Sequence, residues 1–243
     1  MSNFIYVFWR KNVNLISPFK RLTKFELCLW LLSVCTVSFS SAFGEDFSIM
    51  SLSASLVGVT ALIFVARGDV FGQILTVIFA ILYAVVSWEL KYYGEMITYL
   101  CMTAPIAFMS IISWLRHPYK NGNNEVKITR MSKAHIIFMS ILAIFVTVVF
   151  YFMLEYFGNA QLFVSTISIT TSFVASYLMF CRSPYYALAY ALNDIVLIVL
   201  WIVASFESIS YLAMVMCFVM FFVNDIYAYF NWQKMLKRQQ KGE

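Results

Sequence analysis

Apolar positions along this chain form long unbroken runs rather than the narrow stripes of a soluble helix or the alternation of a half-buried strand. Runs at about 24–43, 47–66, 70–90, 93–115, 134–157, 161–180, 184–206 and 208–231 each approach the ~20 residues that a helix needs to cross about 30 Å of hydrocarbon. They predict an all-α integral membrane protein with eight transmembrane helices. The gaps are often one to three residues, as in Arg67-Gly68-Asp69 and Cys181-Arg182-Ser183, so sequential helices form antiparallel hairpins. Residues 1–23 mix aromatics with Arg10, Lys11, Lys20 and Arg21, a composition suited to an amphipathic segment at the membrane surface. The first run ends in Ser40, Ser41 and Ala42 like a signal peptide, but its long basic lead favours a retained helix.

Composition sharpens this picture. Of 243 residues, 62% are hydrophobic and 12% charged, so the solvent for most side chains is lipid. The 17 basic residues separate by loop. With the N-terminus inside, all fall on the cytoplasmic side except Lys91, and the outer ends carry Glu45, Asp46, Glu89, Glu95, Glu155 and Glu207. That is the positive-inside pattern; it predicts a multi-pass cell-membrane protein with both termini cytoplasmic. The basic residues are thus topology signals, and no nucleic-acid partner is expected. Cys28, Cys35, Cys101, Cys181 and Cys217 lack metal or disulfide spacing, and His117 and His135 stand apart, so no metal is expected. No P-loop, Gly-x-Ser-x-Gly or His-Glu-x-x-His occurs; neither an enzyme nor a cofactor is predicted.

The loop at 116–133 divides two similar halves. Arg67, Trp88, Thr98-Tyr99-Leu100 and Trp114 are matched by Arg182, Trp201, Ser210-Tyr211-Leu212 and Trp232, at separations of 115, 113, 112 and 118 residues. The expected organisation is an N-terminal segment and first helix (1–46), a three-helix repeat (47–115), a loop with a linker helix (116–160), a second three-helix repeat (161–232) and a cytoplasmic tail (233–243). A single linker helix makes the 3+1+3 repeats parallel, as in carriers of the SWEET class. Recurrence of aromatic and basic residues at membrane interfaces is the other source of such a pattern.

Polar residues at membrane depth carry the candidate chemistry, because they face a cavity or a partner. At about 100° per residue, Tyr186, Tyr190, Asn193, Asp194 and Trp201 fall within one arc of about 100° on the seventh helix. On the eighth, Asn224, Tyr227 and Asn231 share a face, with Asp225 and Trp232 further round. Two such helices facing each other would stack on rings and read polar edges. Gln73 is the one amide of its helix and joins the candidate substrate-binding set: Gln73, Tyr186, Tyr190, Asn193, Asp194, Trp201, Asn224, Asp225 and Tyr227. The competing readings are interhelical glue for Asn193 and Asn224, an ion pair of Asp225 with Lys234 or Arg182, an interfacial belt for Tyr227, Tyr229 and Trp232, and close packing for Ser165, Ser168, Thr171 and Ser172.

The run Tyr185-Tyr186-Ala187-Leu188-Ala189-Tyr190-Ala191-Leu192-Asn193-Asp194, followed by Val223-Asn224-Asp225-Ile226-Tyr227 and Asn231-Trp232, together with Ser55-Leu56-Val57-Gly58-Val59, Val65-Ala66-Arg67-Gly68 and Tyr92-Tyr93-Gly94-Glu95, resembles the PnuC family of nicotinamide riboside transporters. The resemblance implies a 3+1+3 bundle with an extra N-terminal helix, assembled as a homotrimer. It also implies facilitated diffusion of a vitamin-like nucleoside, trapped inside by phosphorylation. The family's Trp-x-x-Trp pair is absent, with Ala187 and Tyr190 roughly in its place, and Asp194 stands where the family more often has asparagine. An acid there favours a cationic ring, nicotinamide riboside or thiamine. Carriage of thiamine, riboflavin or deoxynucleosides, with or without proton coupling, is the alternative, and a non-transporting scaffold is a further one.

Overall fold

The computed structural model describes residues 18–42, 49–89, 92–120, 125–159, 161–206 and 212–242. Lys91, Glu45, Asp46, Glu207, Ser210-Tyr211 and most of the N-terminal segment lie outside them. Among the described residues, eight helices are long and apolar enough to cross a membrane: α1 (Lys24–Ala42), α2 (Ile49–Ala66), α3 (Val70–Glu89), α4 (Tyr93–Arg116), α5 (Lys133–Tyr156), α6 (Leu162–Phe180), α7 (Tyr186–Ser205) and α8 (Leu212–Lys241). This is an all-helical, multi-pass membrane protein. The helix α8 runs ten residues beyond the expected end at 231 because Met235, Leu236 and Gln239 bury themselves against the 116–133 loop.

Six helices close into a ring. Each packs on the next in the order α2, α3, α4, α6, α7, α8 and back to α2, with α1 outside against α2 and α8 and α5 outside against α6. The outer helix α5 exposes Ile137, Phe138, Ile141, Ile144, Phe145 and Phe152, the surface expected of a helix solvated by lipid.

The turns after α2 and α6 are built alike, 114 residues apart. Asp69 N–H donates to Phe64 O (3.0 Å) and Gly68 N–H to Val65 O (2.9 Å), while Ser183 N–H donates to Leu178 O (2.8 Å) and Arg182 N–H to Met179 O (2.9 Å). This is the Schellman ending, which needs a left-handed residue; Gly68 supplies it at φ 66° and Arg182 at φ 58°. Gly72, just beyond, has no room for a side chain, since a Cβ would lie 2.4 Å from Val65 N; it fixes the close approach of α2 and α3 rather than serving as a flexible point.

The 116–133 loop straps this end of the bundle. Val126 N–H donates to Gly68 O (3.0 Å) and Thr129 N–H to Arg182 O (3.0 Å), so one segment ties both turns. Gln239 of α8 holds the strap from the other side, accepting from Ile128 N–H (2.9 Å) and donating to Val126 O (3.0 Å) and Glu125 Oε1 (2.8 Å). Glu125 also pairs with Arg238. Beneath the strap, Trp114 donates its indole N–H to Met179 O (3.2 Å) and Trp232 to Val65 O (3.1 Å), with the two rings 5.6 Å apart. Trp114 of α4 thus bonds α6, and Trp232 of α8 bonds α2.

Candidate functional site

The inward faces of all six ring helices line a central cavity of about 50 Å³, room for a few water molecules. It lies between two buried plugs. At the strap end Trp114, Trp232 and Tyr186 stack, with Tyr186 and Trp232 4.6 Å apart. At the opposite end Tyr83, Tyr99, Phe218 and Trp201 close the ring, with Trp201 donating to Tyr83 Oη at 3.2 Å.

The walls are aromatic. Phe79 from α3, Tyr99 from α4, Tyr186 and Tyr190 from α7 and Phe221 from α8 all line the space. Gly58 on α2 makes room for them: a Cβ there would meet Phe221 Cζ at 2.5 Å and the Phe79 ring at 3.0 Å. In α4 the helix widens into a π-helical stretch over Tyr99–Thr103. Pro105 lacks the N–H that would bond Cys101 O in a regular helix, and the wide turn brings Tyr99 and Thr103 to the cavity. Such bulges recur at functional sites.

Polar groups gather on one side. Asn193 Oδ1 accepts from Ser172 Oγ (2.9 Å) and Thr171 Oγ1 (2.7 Å), and Tyr190 Oη shares a hydrogen bond with Ser176 Oγ (2.8 Å). The hydroxyls of α6 thus orient Tyr190 and Asn193 of α7, a more specific task than close packing. Asp194 and Asp225, 3% and 2% exposed, face the cavity from α7 and α8, and Asp194 Oδ2 has no hydrogen-bond partner. Among the described residues no lysine, arginine or histidine lines the cavity.

Of the residues singled out in the sequence, Tyr186, Tyr190, Asn193, Asp194 and Asp225 meet at the cavity. Asp225 forms no ion pair with Lys234 or Arg182. Trp201 belongs to the plug opposite the strap. Trp232 is fully buried and so is no part of an interfacial belt. The face of α8 that carries Asn224, Tyr227 and Asn231 turns away from α7. Asn224 Nδ2 donates to Ser33 Oγ of α1 (2.9 Å), Asn231 Nδ2 to Ala66 O (2.9 Å), and Tyr227 Oη to Glu26 Oε1 (2.9 Å). Glu26 in turn pairs with Arg67 at 2.6 Å, so this face anchors α1. Gln73 is fully buried in α3 with neither amide atom bonded and is absent from the cavity wall. The candidate set left out Gly58, Phe79, Tyr99, Thr103 and Phe221, although Gly58 stood in a family motif and Tyr99 in a recurring segment; Pro105 was a local sequence signal for Tyr99 and Thr103. Glu95, placed at an outer helix end by its sequence, is 1% exposed and lies against Ser168 of α6.

The chain is 28% identical over 221 residues to the nicotinamide riboside transporter PnuC of Neisseria mucosa, covering 89% of this chain and 83% of that one. It is 22% identical over 190 residues to the protein of the same name from Haemophilus influenzae, covering 78% and 81%. A crystal structure described as the vitamin B3 transporter PnuC superposes with a TM-score of 0.77 at 27% identity, over 90% of this chain and 94% of that one. The family model described as nicotinamide mononucleotide transporter matches residues 48–234, a stretch that contains the ring, both plugs and every wall of the cavity. The chain, matched over 48–234 and folded as a bundle of long apolar helices around a central cavity, belongs to the nicotinamide mononucleotide transporter family.

Proposed function

We propose that this chain carries nicotinamide riboside, or a closely similar cationic vitamin, across the cell membrane by alternating access. The observation that carries the reading is the central cavity: aromatic walls for a flat ring, the Asn193 amide for polar edges, and two buried carboxyls for a positive charge. Nicotinamide riboside combines a pyridinium ring with a ribose, and the proteins named after it are similar to this chain over most of their length. Transport is facilitated diffusion, and phosphorylation inside the cell makes it one-way.

The halves 47–115 and 161–232 are parallel repeats that rock about the cavity, joined by the linker within 116–160 and assembled as a homotrimer with the strap and both termini cytoplasmic. Matching turns 114 residues apart and reciprocal tryptophan bonds support this division. The two aromatic plugs are the gates. Gln73, Trp201, Asn224 and Tyr227 then act on transport through gates and helix anchoring, while Tyr186, Tyr190, Asn193, Asp194 and Asp225 touch the substrate.

The test is uptake of radiolabelled nicotinamide riboside into liposomes containing only this protein, with thiamine, riboflavin and deoxynucleosides as competitors. Saturable uptake blocked by unlabelled nicotinamide riboside supports the reading. Block by thiamine alone transfers it to that vitamin, which the carboxyl pair favours equally. Absence of uptake with every compound returns the protein to the scaffold reading.

A further inference from the structure

Outside the plug opposite the strap lies a carboxyl that the cavity does not use. Glu95 is buried one turn of α4 further out than Tyr99, a cavity wall. Its Oε1 accepts one long hydrogen bond, from Ser168 Oγ at 3.5 Å, and Oε2 has no hydrogen-bond partner. Ser87 takes the matching place on α3, one turn outside Tyr83; it is fully buried and its Oγ is unbonded. Between these two groups and the cavity stand the Tyr83 and Tyr99 rings, 4.3 Å apart. Gly94 seats the carboxyl: a Cβ there would lie 2.9 Å from Asn159 Oδ1 and 2.8 Å from Leu154 Cδ2, so a larger residue would push the start of α4 away from the turn before α6. A buried carboxyl with one oxygen unused costs stability, and at membrane depth such a group faces a path or a partner.

A line of hydroxyls leads inward from it. Ser165, Ser168, Ser172 and Ser176 are all buried and, at spacings of three and four, share one face of α6 over about 16 Å. Ser165 Oγ accepts from Asn159 Nδ2 (2.9 Å), Ser168 meets Glu95, Ser172 donates to Asn193 (2.9 Å) and Ser176 shares a bond with Tyr190 (2.8 Å). The seam of α6 with α4 and α7 is therefore polar from outside the plug down to the cavity, whereas the plug beside it is aromatic.

We propose that Glu95 is the carboxyl of an outer subsite, where a cationic substrate ring halts against Tyr83 and Tyr99 before it passes the plug and follows the α6 hydroxyls to Asn193. The inference rests on the function proposed above, whose orientation puts the end opposite the strap outside. A pyridinium or thiazolium ring leaving water meets the unbonded carboxyl oxygen, and the tyrosine rings stack on it. Ser87 Oγ offers a partner to a polar edge. The subsite holds the cation only in passing, so it speeds entry without coupling transport to another ion, as facilitated diffusion requires.

The experiment compares initial uptake into liposomes, well below KM, of nicotinamide riboside and of its uncharged 1,4-dihydro form by wild type, Glu95→Gln and Glu95→Asp, alongside Kd from calorimetry and Tm in detergent. Glu95→Gln should slow uptake of the cation about tenfold and of the uncharged form by less than about twofold. Its Kd for the cation should stay within about twofold of wild type, because the central cavity is untouched. Glu95→Asp should keep at least about half of the cation rate. The Tm of Glu95→Gln should not fall, because the amide replaces a buried ionisable group that lacks an ionic partner. Equal slowing of both compounds, an unchanged cation rate, a Kd that weakens as much as the rate, or a Glu95→Gln protein that melts lower or fails to fold overturns the subsite and leaves transport by the wild type standing. If wild type carries the cation alone, the split between rate and Kd decides. Absence of uptake of both compounds by wild type overturns the subsite and the transport function together.

Discussion

Replacing Gly58 with alanine tests whether the cavity is the binding site. The added methyl would lie 2.5 Å from Phe221 Cζ and 3.0 Å from the Phe79 ring, whereas relaxed carbon contacts need about 3.5–4.0 Å. The obstacle is the far end of a side chain rather than backbone, so the Phe221 ring retreats by about 1 Å or more, and it lines the cavity. Overpacking of this kind costs about 1–3 kcal/mol, a loss that leaves the bundle folded. The cost in affinity arises because the ring now takes up space meant for the substrate. Nicotinamide riboside binding, followed by calorimetry, should weaken by at least about tenfold, or about 1.4 kcal/mol. Phe221→Leu alone should bind somewhat weakly, and Gly58→Ala/Phe221→Leu should bind better than Gly58→Ala, with a coupling above about 0.5 kcal/mol. Wild-type affinity in a folded Gly58→Ala protein, or additive effects in the double variant, would refute the assignment of this cavity as the site.

Three further outcomes follow from contacts away from the cavity. Trp232→Phe keeps an aromatic ring but removes one of the two hydrogen bonds that Val65 O accepts, the one from Gly68 N–H remaining, so it should destabilise the protein by about 0.5–1.5 kcal/mol, seen as a lower Tm in detergent; an unchanged Tm would mean that the cross-half bond contributes nothing. Arg67→Met leaves the Glu26 carboxylate, 3% exposed, without its cation; because Arg67 is partly exposed, the loss should be about 1–3 kcal/mol rather than the larger value of a fully buried pair. Glu26→Gln/Arg67→Met should recover part of that loss, and a double variant less stable than Arg67→Met would contradict the argument. Gln239→Ala removes three bonds to the strap and should speed tryptic cleavage at Lys127 and Arg130 while the helices persist by circular dichroism; equal cleavage rates would show that the strap is held by its backbone bonds alone.

The number and hairpin order of the helices were legible in the sequence, because lipid imposes a minimum length on every apolar run and short gaps leave no other connection. The turns at Arg67-Gly68 and Cys181-Arg182, short gaps in the sequence, end their helices with the same pair of hydrogen bonds. Along α7 the helical period alone brought Tyr186, Tyr190, Asn193 and Asp194 to one stripe, and the structure turns that stripe inward. For α8 the period grouped residues correctly but could not orient them. Asn224, Tyr227 and Asn231 share a face, yet that face meets α1 through Ser33 and Glu26, and the cavity takes Asp225 and Phe221 from further round. Which neighbour a helical face meets depends on helices distant in sequence, and a one-dimensional pattern contains no such information. The same limit hid Gly58 and Phe79, which look like ordinary apolar positions until a ring closes around them, and it hid that Asp194 and Asp225 share a cavity. Sequence determined that each acid lies at membrane depth, because a charge among apolar residues is visible along the chain; only the packing of α7 on α8 decided that both acids face one cavity, because that packing joins positions 31 apart in the chain.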